Sequence, residues 1–180
     1  MNAIELLKHD HRMVEQLFRD YRASASDGQR RGVAEILIRE LSKHAAVEET
    51  LFYPFAAQVL GDRVVVDREL AGHLTLKQLL VDLDGVGSGD PGQDDLMMLV
   101  ESAVAEHVRD EEDDLMPRLN AAADQQSLAE LGQEIDHSKG TAPTRTHPHA
   151  PDRPPVLTLA APVAAIYDRL RDRIQGRPQT

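Results

Sequence analysis

Residues 44–54 read His44-Ala45-Ala46-Val47-Glu48-Glu49-Thr50-Leu51-Phe52-Tyr53-Pro54, and residues 107–117 read His107-Val108-Arg109-Asp110-Glu111-Glu112-Asp113-Asp114-Leu115-Met116-Pro117. The His, both Glu and the Pro recur at a single offset of 63 residues, and a lone histidine stands upstream of each copy, His11 and His73. The pattern is duplicated. On an α-helix, residues i and i+4 lie one above the other on one face, so each His-x-x-x-Glu presents an imidazole beside a carboxylate. Two such pairs turned toward each other, with the two single histidines, supply the donors of a dinuclear metal centre.

Outward from these segments the apolar residues keep a helical period. Ile4, Leu7, His11, Val14, Phe18 and Tyr21 form one stripe, opened by Asn2 and Glu5 in the arrangement of a capping box. A second helix is expected from about Asp27 to Gly61, with Leu37, Leu41, His44, Glu48, Leu51 and Phe55 inward and its final turns kinked by Pro54. A third starts near Asp62, turns Val66, Leu70, His73, Leu76, Leu80 and Leu83 inward, and stops at Gly85-Val86-Gly87-Ser88-Gly89. A fourth takes Asp90 as N-cap and Pro91 as its first residue, carries Leu96, Val100, Val104, His107, Glu111 and Leu115 inward, and kinks or ends at Pro117. Four amphipathic helices joined by turns predict an all-α fold, an up-down-up-down four-helix bundle over residues 1–122.

Residues 123–180 read as a C-terminal extension. A short helix is expected around Leu128 to Ile135, followed by an irregular connection from Ser138 to Pro155 rich in Pro, Thr and His. A last helix starts at Pro162, carries Val163, Ile166, Tyr167, Leu170 and Ile174 along one side and ends at Gly176. Its apolar stripe predicts packing against the bundle.

His11, His44, Glu48, His73, His107 and Glu111 thus fall on apolar stripes at one level of one core. A buried charge without a partner costs several kcal/mol and in practice titrates or finds a counter-ion. Two divalent cations resolve the conflict, because imidazole binds through a neutral nitrogen and a carboxylate can bridge two metals. The chain has no cysteine, which excludes thiolate ligands and disulfides. An imidazole-rich, six-coordinate site suits iron, although ligand type alone also admits zinc or manganese. Four imidazoles and two bridging carboxylates leave open positions for solvent, dioxygen or peroxide.

A net charge of −11 argues against a nucleic-acid partner, which would require a concentrated basic face. Aromatic residues make up 3% of the chain, so the core must be aliphatic, as packed helices favour. No stretch is apolar for long enough to span a bilayer, and the first residues lack the apolar run of a signal peptide. A cytoplasmic protein without a membrane partner is expected.

The order His, His-x-x-x-Glu, His, His-x-x-x-Glu over four helices resembles the hemerythrin-like family, also called HHE cation-binding domains, from about Ile4 to Leu119. Leu7-x-x-Asp10-His11 and both His-x-x-x-Glu-Glu segments look like signatures of that family. The resemblance implies a non-haem di-iron centre, oxo- or hydroxo-bridged, with His11, His44, Glu48, His73, His107 and Glu111 as ligands and Glu48 and Glu111 as bridging carboxylates. It also implies dioxygen, hydrogen peroxide or nitric oxide as the small-molecule partner. The tail, with Ala142-Pro143-Thr144-Arg145 and His147-Pro148-His149-Ala150-Pro151, resembles an extension in a bacterial subgroup associated with catalase-like peroxide breakdown and oxidative stress. Oxygen-carrying hemerythrins have a further histidine where this chain has Lys77. A protonated lysine cannot ligate a metal, so the site has one imidazole fewer and more open coordination than a reversible oxygen carrier wants. The expected function is therefore oxygen or peroxide chemistry, possession of catalase-like activity included; the alternative is a non-catalytic sensor or store of oxygen, nitric oxide or iron. Ferritin-like di-iron bundles use Glu-x-x-His, a spacing absent from both repeated segments.

Several neighbours read as bystanders. Glu49 and Glu112 lie about 100° round the helix from the ligand carboxylates and read as solvated charges, a hydrogen bond to an imidazole being the other role open to them. The rest of the Asp110 to Asp114 run reads as a solvated face. His9 is expected to be exposed. Tyr53 should pack away from the ligands unless the Pro54 kink turns it inward. His137, His147 and His149 are expected on a surface loop.

Overall fold

The computed structural model describes residues 1–146 of the 180-residue chain. Helix α1 spans Ala3–Ala23, α2 Asp27–Val47, α3 Tyr53–Leu60, α4 Arg63–Gly85, α5 Gly92–Asp110, α6 Met116–Ala122 and α7 Gln125–Lys139. Side chains that accept from the first free N–H groups open most of them. Asn2 and Glu5 form a reciprocal box on α1, Ser26 caps α2, Asp62 caps α4 and Asp124 caps α7. Helix α5 starts one residue later than the sequence suggests, and Asp90 Oδ1 accepts from the Gly92 N–H at 2.8 Å. Gly61 ends α3 at φ +61°, a left-handed conformation that glycine adopts without Cβ strain.

Between α2 and α3, and again between α5 and α6, the helix continues through one wide turn. Glu48–Phe52 and Glu111–Leu115 are π-helical, with the N–H of Tyr53 bonded to the carbonyl of Glu48 and that of Met116 to the carbonyl of Glu111. Each turn precedes a proline that cannot donate to, and whose ring crowds, the carbonyl four residues back. Widening the turn by one residue relieves that clash. This shifts the inward register: Phe52, Tyr53 and Ala56 are buried, whereas Leu51 and Phe55, expected inward from an unbroken period, are only partly so.

Helix α1 packs on α2, α2 on α4 and α4 on α5, giving the four-helix bundle. Its core has two apolar parts. Leu7, Phe52, Val66, Leu70, Leu115 and Leu119 belong to one; Val14, Leu37, Leu41, Leu80, Val100 and Val104 belong to the other. On every bundle helix the histidine falls between the two. Burying a Leu or Phe contributes about 1.5–3 kcal/mol, so both parts hold the helices firmly while a polar layer crosses between them.

Helix α7 is longer than the predicted short helix and buries Leu128 and Ile135 along α1 and α2. Gly132 makes the fit possible: a Cβ there would stand 2.7 Å from the Met1 carbonyl oxygen and 2.9 Å from the Ala3 nitrogen. Gly132→Val is therefore expected to destabilise the chain by about 1–3 kcal/mol, the usual cost of overpacking, measured as a lowered denaturation midpoint. Past Gly140 the chain does not leave as a surface loop, for residues 142–145 are buried. His147, His149 and the helix expected from Pro162 lie outside the described residues. No helix among the described residues is long and apolar enough to cross a membrane.

Candidate metal centre

The bundle brings all six sequence-derived residues into one buried layer, each no more than 8% exposed. His11 comes from α1, His44 and Glu48 from the end of α2 and its π turn, His73 from α4, and His107 and Glu111 from the end of α5 and its π turn. The imidazoles fall into pairs: the His11 and His44 ring centres are 5.0 Å apart, and those of His73 and His107 are 4.9 Å apart. Each carboxylate spans both pairs. Glu48 lies 3.0 Å from His44 Nε2, 3.3 Å from His73 Nε2 and 3.7 Å from His107 Nε2. Glu111 lies 3.4 Å from His11 Nε2 and 3.7 Å from His107 Nε2.

These contacts are close but are not aligned as hydrogen bonds. Nε2 of His11, His44 and His107 and both oxygens of Glu48 and Glu111 are buried with no hydrogen-bond partner among the described residues. Leaving such an atom unpaired costs about 1–3 kcal/mol. One donor atom from each of His11, His44, Glu48, His107 and Glu111 lies within 4.8 Å of all the others, a set that could hold a metal ion. His73 stands just outside this tightest group, its Nε2 3.0 Å from the Tyr53 hydroxyl. An all-nitrogen-and-oxygen donor set with unpaired lone pairs facing one space fits hard or borderline cations.

A second layer of carboxylates surrounds the first and corrects the reading of Glu49 and Glu112 as solvated. Glu112 Oε1 is 2.8 Å from His11 Nδ1, and Arg12 grips both oxygens of Glu112 at 2.7 and 2.6 Å. Glu49 Oε1 is 3.0 Å from His73 Nδ1, while its other oxygen accepts from Lys77 at 2.6 Å. Asp10 Oδ2 lies 3.5 Å from His44 Nδ1 and accepts from Lys139. Glu69 approaches His107 Nδ1 only to 3.9 Å, too long for a hydrogen bond, and accepts from Arg68 at 3.2 Å. Such partners fix the ring's orientation, and a proton on Nδ1 leaves the Nε2 lone pair facing inward.

The charges are balanced across this layer. Burial alone would lower the His44 imidazole, but Glu48, Asp10 and Glu111 hold it up to about 10. Burial opposes protonation of His73 as well, and Glu48 and Glu49 hold it up to about 9. Burial would raise the Glu48 carboxyl, yet His44, His73 and His107 keep it well below the usual carboxylate range. Without a cation, protons on imidazole take its place.

Tyr53 is the residue that helical period misplaces most. Five residues of ordinary helix would set it about 140° from Glu48, but the π turn brings it inward and buries it to 1% exposure. Burial, then the charges of Glu111, Glu48 and Glu69, push its phenol well above the ordinary value. The signal available in the sequence was Pro54. The duplicate position holds Met116, so the two halves differ here. His9 is exposed, as expected; His137 is exposed too, but on the last turn of α7 and not on a loop. Asp10 belongs to the Leu7-x-x-Asp10-His11 pattern but no contact with His44 follows from that spacing, and Glu69 and Lys139 carry no spacing signal that singles them out.

The sequence model of the hemerythrin HHE cation-binding domain matches residues 2–136. The chain belongs to the hemerythrin HHE family. An uncharacterized hemerythrin-like protein of Schizosaccharomyces pombe is 26% identical to it, over 93% of this chain and 88% of that protein. The crystal structure of a hemerythrin HHE cation-binding domain-containing protein from Mycobacterium kansasii shares its fold, with a TM-score of 0.68, 23% identity, and coverage of 78% of this chain and 86% of that one. As a hemerythrin-like domain, the chain carries a His/Glu cluster of the kind that binds metal. Lys77 lies one turn past His73 and donates to Glu49, not to the centre of the layer.

Proposed function

We propose that His11, His44, Glu48, His73, His107 and Glu111 hold two iron ions, and that the chain is a non-haem di-iron protein that decomposes hydrogen peroxide or otherwise reacts with dioxygen or peroxide. The observation that carries this reading is the set of buried, unpaired nitrogen and oxygen atoms converging between two imidazole pairs. In this assignment His11 and His44 would hold one ion and His73 and His107 the other, with Glu48 and Glu111 as the carboxylates that would serve both. Bound iron supplies Lewis acidity and redox chemistry. The chain's own residues orient and shield: Asp10, Glu49 and Glu112 hold the imidazoles at Nδ1, and the apolar clusters on either side exclude bulk water. A groove of about 350 Å³ between α1 and α5, with Phe18, Val104 and Val108 among its lining, reaches the edge of the layer at Glu112 and offers an approach for a small substrate. The division into a bundle, residues 1–122, and an extension, residues 123–180, belongs to the same proposal; every residue of the cluster lies in the first part.

Adding hydrogen peroxide to the iron-loaded chain is expected to release oxygen faster than an equal amount of free iron does. A rate no greater than free iron removes the catalytic reading. Tyr53 is assigned as a further oxygen donor near His73, in compensation for the imidazole that Lys77 does not supply. Tyr53→Phe should then keep its iron and lose the visible phenolate-to-ferric absorption of the wild type; absence of that band from the wild type leaves Tyr53 a hydrogen-bonding neighbour only. A second reading, a non-catalytic sensor or store of oxygen, nitric oxide or iron, is favoured by the contacts that α7 and residues 140–146 make with the periphery of the layer.

A further inference from the structure

Three of the carboxylates that face the imidazoles take their cation from the bundle itself: Arg12 serves Glu112, Lys77 serves Glu49 and Arg68 serves Glu69. Asp10 does not. Its cation is Lys139, the last residue of α7, whose Nζ lies 2.6 Å from Oδ2 and 2.7 Å from Oδ1. Asp10 Oδ2 in turn faces His44 Nδ1. The chain beyond α7 then buries residues 142–145 and brings the Thr146 hydroxyl to donate to the Lys77 carbonyl at 3.1 Å, on the turn of α4 that follows His73.

We propose that Lys139 is a positioning residue of the metal centre, acting through Asp10 on His44, so that docking of α7 and metal binding are reciprocally coupled. The inference rests on the di-metal reading above. Asp10 stands at the outer limit of hydrogen-bonding distance from His44 Nδ1, so what holds its other side decides whether it restrains the ring. Lys139 engages both Asp10 oxygens and fixes the carboxylate between α7 and α1. Without it Asp10 is free to turn toward water, and the direction of His44 Nε2 is no longer fixed. Coupling of this kind works in both directions: whatever factor a docked α7 adds to metal affinity, bound metal adds to the docking of α7.

Helix α7 has an anchor independent of Lys139. Leu128 and Ile135 are fully buried, and Gly132 lies against the start of α1. Lys139→Met, which keeps the aliphatic stem, therefore leaves α7 in place and removes only the charge.

The test titrates ferrous iron anaerobically against a competing chelator in the full chain, the Lys139→Met, Lys139→Arg and Asp10→Asn variants, and the Lys139→Met/Asp10→Asn double variant. Lys139→Met is expected to weaken iron binding roughly three- to tenfold, less than the roughly 10–100-fold lost with a partner that touches a ligand directly. Lys139→Arg should restore wild-type affinity. In the Asp10→Asn background Lys139→Met should cost nothing further, because the two residues act in series. Amide exchange supplies the reverse reading: iron should slow exchange across residues 125–139 in the wild type, and that slowing should be lost in Lys139→Met. Unchanged affinity in Lys139→Met, or an equal loss in both backgrounds, overturns the coupling alone. A wild-type chain that binds no ferrous iron overturns the di-metal reading with it.

Discussion

Glu111→Ala is expected to purify without iron, whereas His9→Ala keeps the iron content of the wild type. Glu111 touches one imidazole of each pair, His11 and His107, so on the proposed di-iron assignment its removal strikes both metal positions at once. The loss should exceed the roughly 10–100-fold penalty for removing a partner that only supports a ligand. Alanine keeps the helix, but Glu111 is also a counter-charge to the buried imidazoles, and its removal costs stability as well, so the fold is measured beside the iron content. Elemental analysis, reported as iron per chain, checks the stoichiometry, and far-ultraviolet circular dichroism checks the helices. Full iron occupancy in Glu111→Ala would mean that the bridge is wrongly placed. His44→Ala should behave like Glu111→Ala. His9 is exposed on α1 and serves as the control.

Removing the metal should have the second large effect, and one that grows with pH. In the metal-free protein His44 and His73 titrate near 10 and near 9, above the ordinary 6.5. A raised imidazole stabilises the folded state by binding its proton more tightly there than in the unfolded chain. That contribution is complete below pH 6.5 and is lost as pH rises through about 9 and about 10. Glu48 acts in the opposite sense: its carboxyl is held below the ordinary 4.5, so its contribution is present above that pH and lost as pH falls through the lowered value. Metal-free protein should therefore lose thermal stability between pH 7 and 10, a range in which the iron-loaded form, its protons already replaced, stays level. With free metal about a thousandfold above Kd, binding adds about 4 kcal/mol, or roughly 8–16 °C in Tm for a chain of this size. Differential scanning calorimetry on chelator-treated and iron-loaded samples measures both effects. A metal-free Tm that holds or rises from pH 7 to 10 would contradict the charge balance described here.

The six inward residues were legible because duplication and a period of 3.6 agree on them. His11, His44, His73 and His107 occupy positions where Leu or Val would otherwise stand, and nothing about their placement depends on distant chain. The period failed just past Glu48. Leu51 and Phe55 continue it on paper, but the wide turn ahead of Pro54 substitutes Phe52 and Ala56 and swings Tyr53 inward. A proline in a helical run announces some disturbance without saying whether the helix will bend, stop or widen. Glu49 and Glu112 were misread for a different reason: their partners, His73 and His11, lie on other helices, and helical period reports only which way a residue points on its own. Lys139 is harder still, because its contact with Asp10 joins positions separated by 129 residues, and no local pattern encodes such a meeting.

The crossing of those two glutamates has a further consequence. Glu49 comes from the first copy of the motif and serves the lone histidine ahead of the second, while Glu112 comes from the second copy and serves the lone histidine ahead of the first. Neither half owns a complete set of supports. A peptide carrying one helical hairpin by itself would have an imidazole with no brace and a brace with no imidazole, and could assemble this centre only by trading the two with a second hairpin.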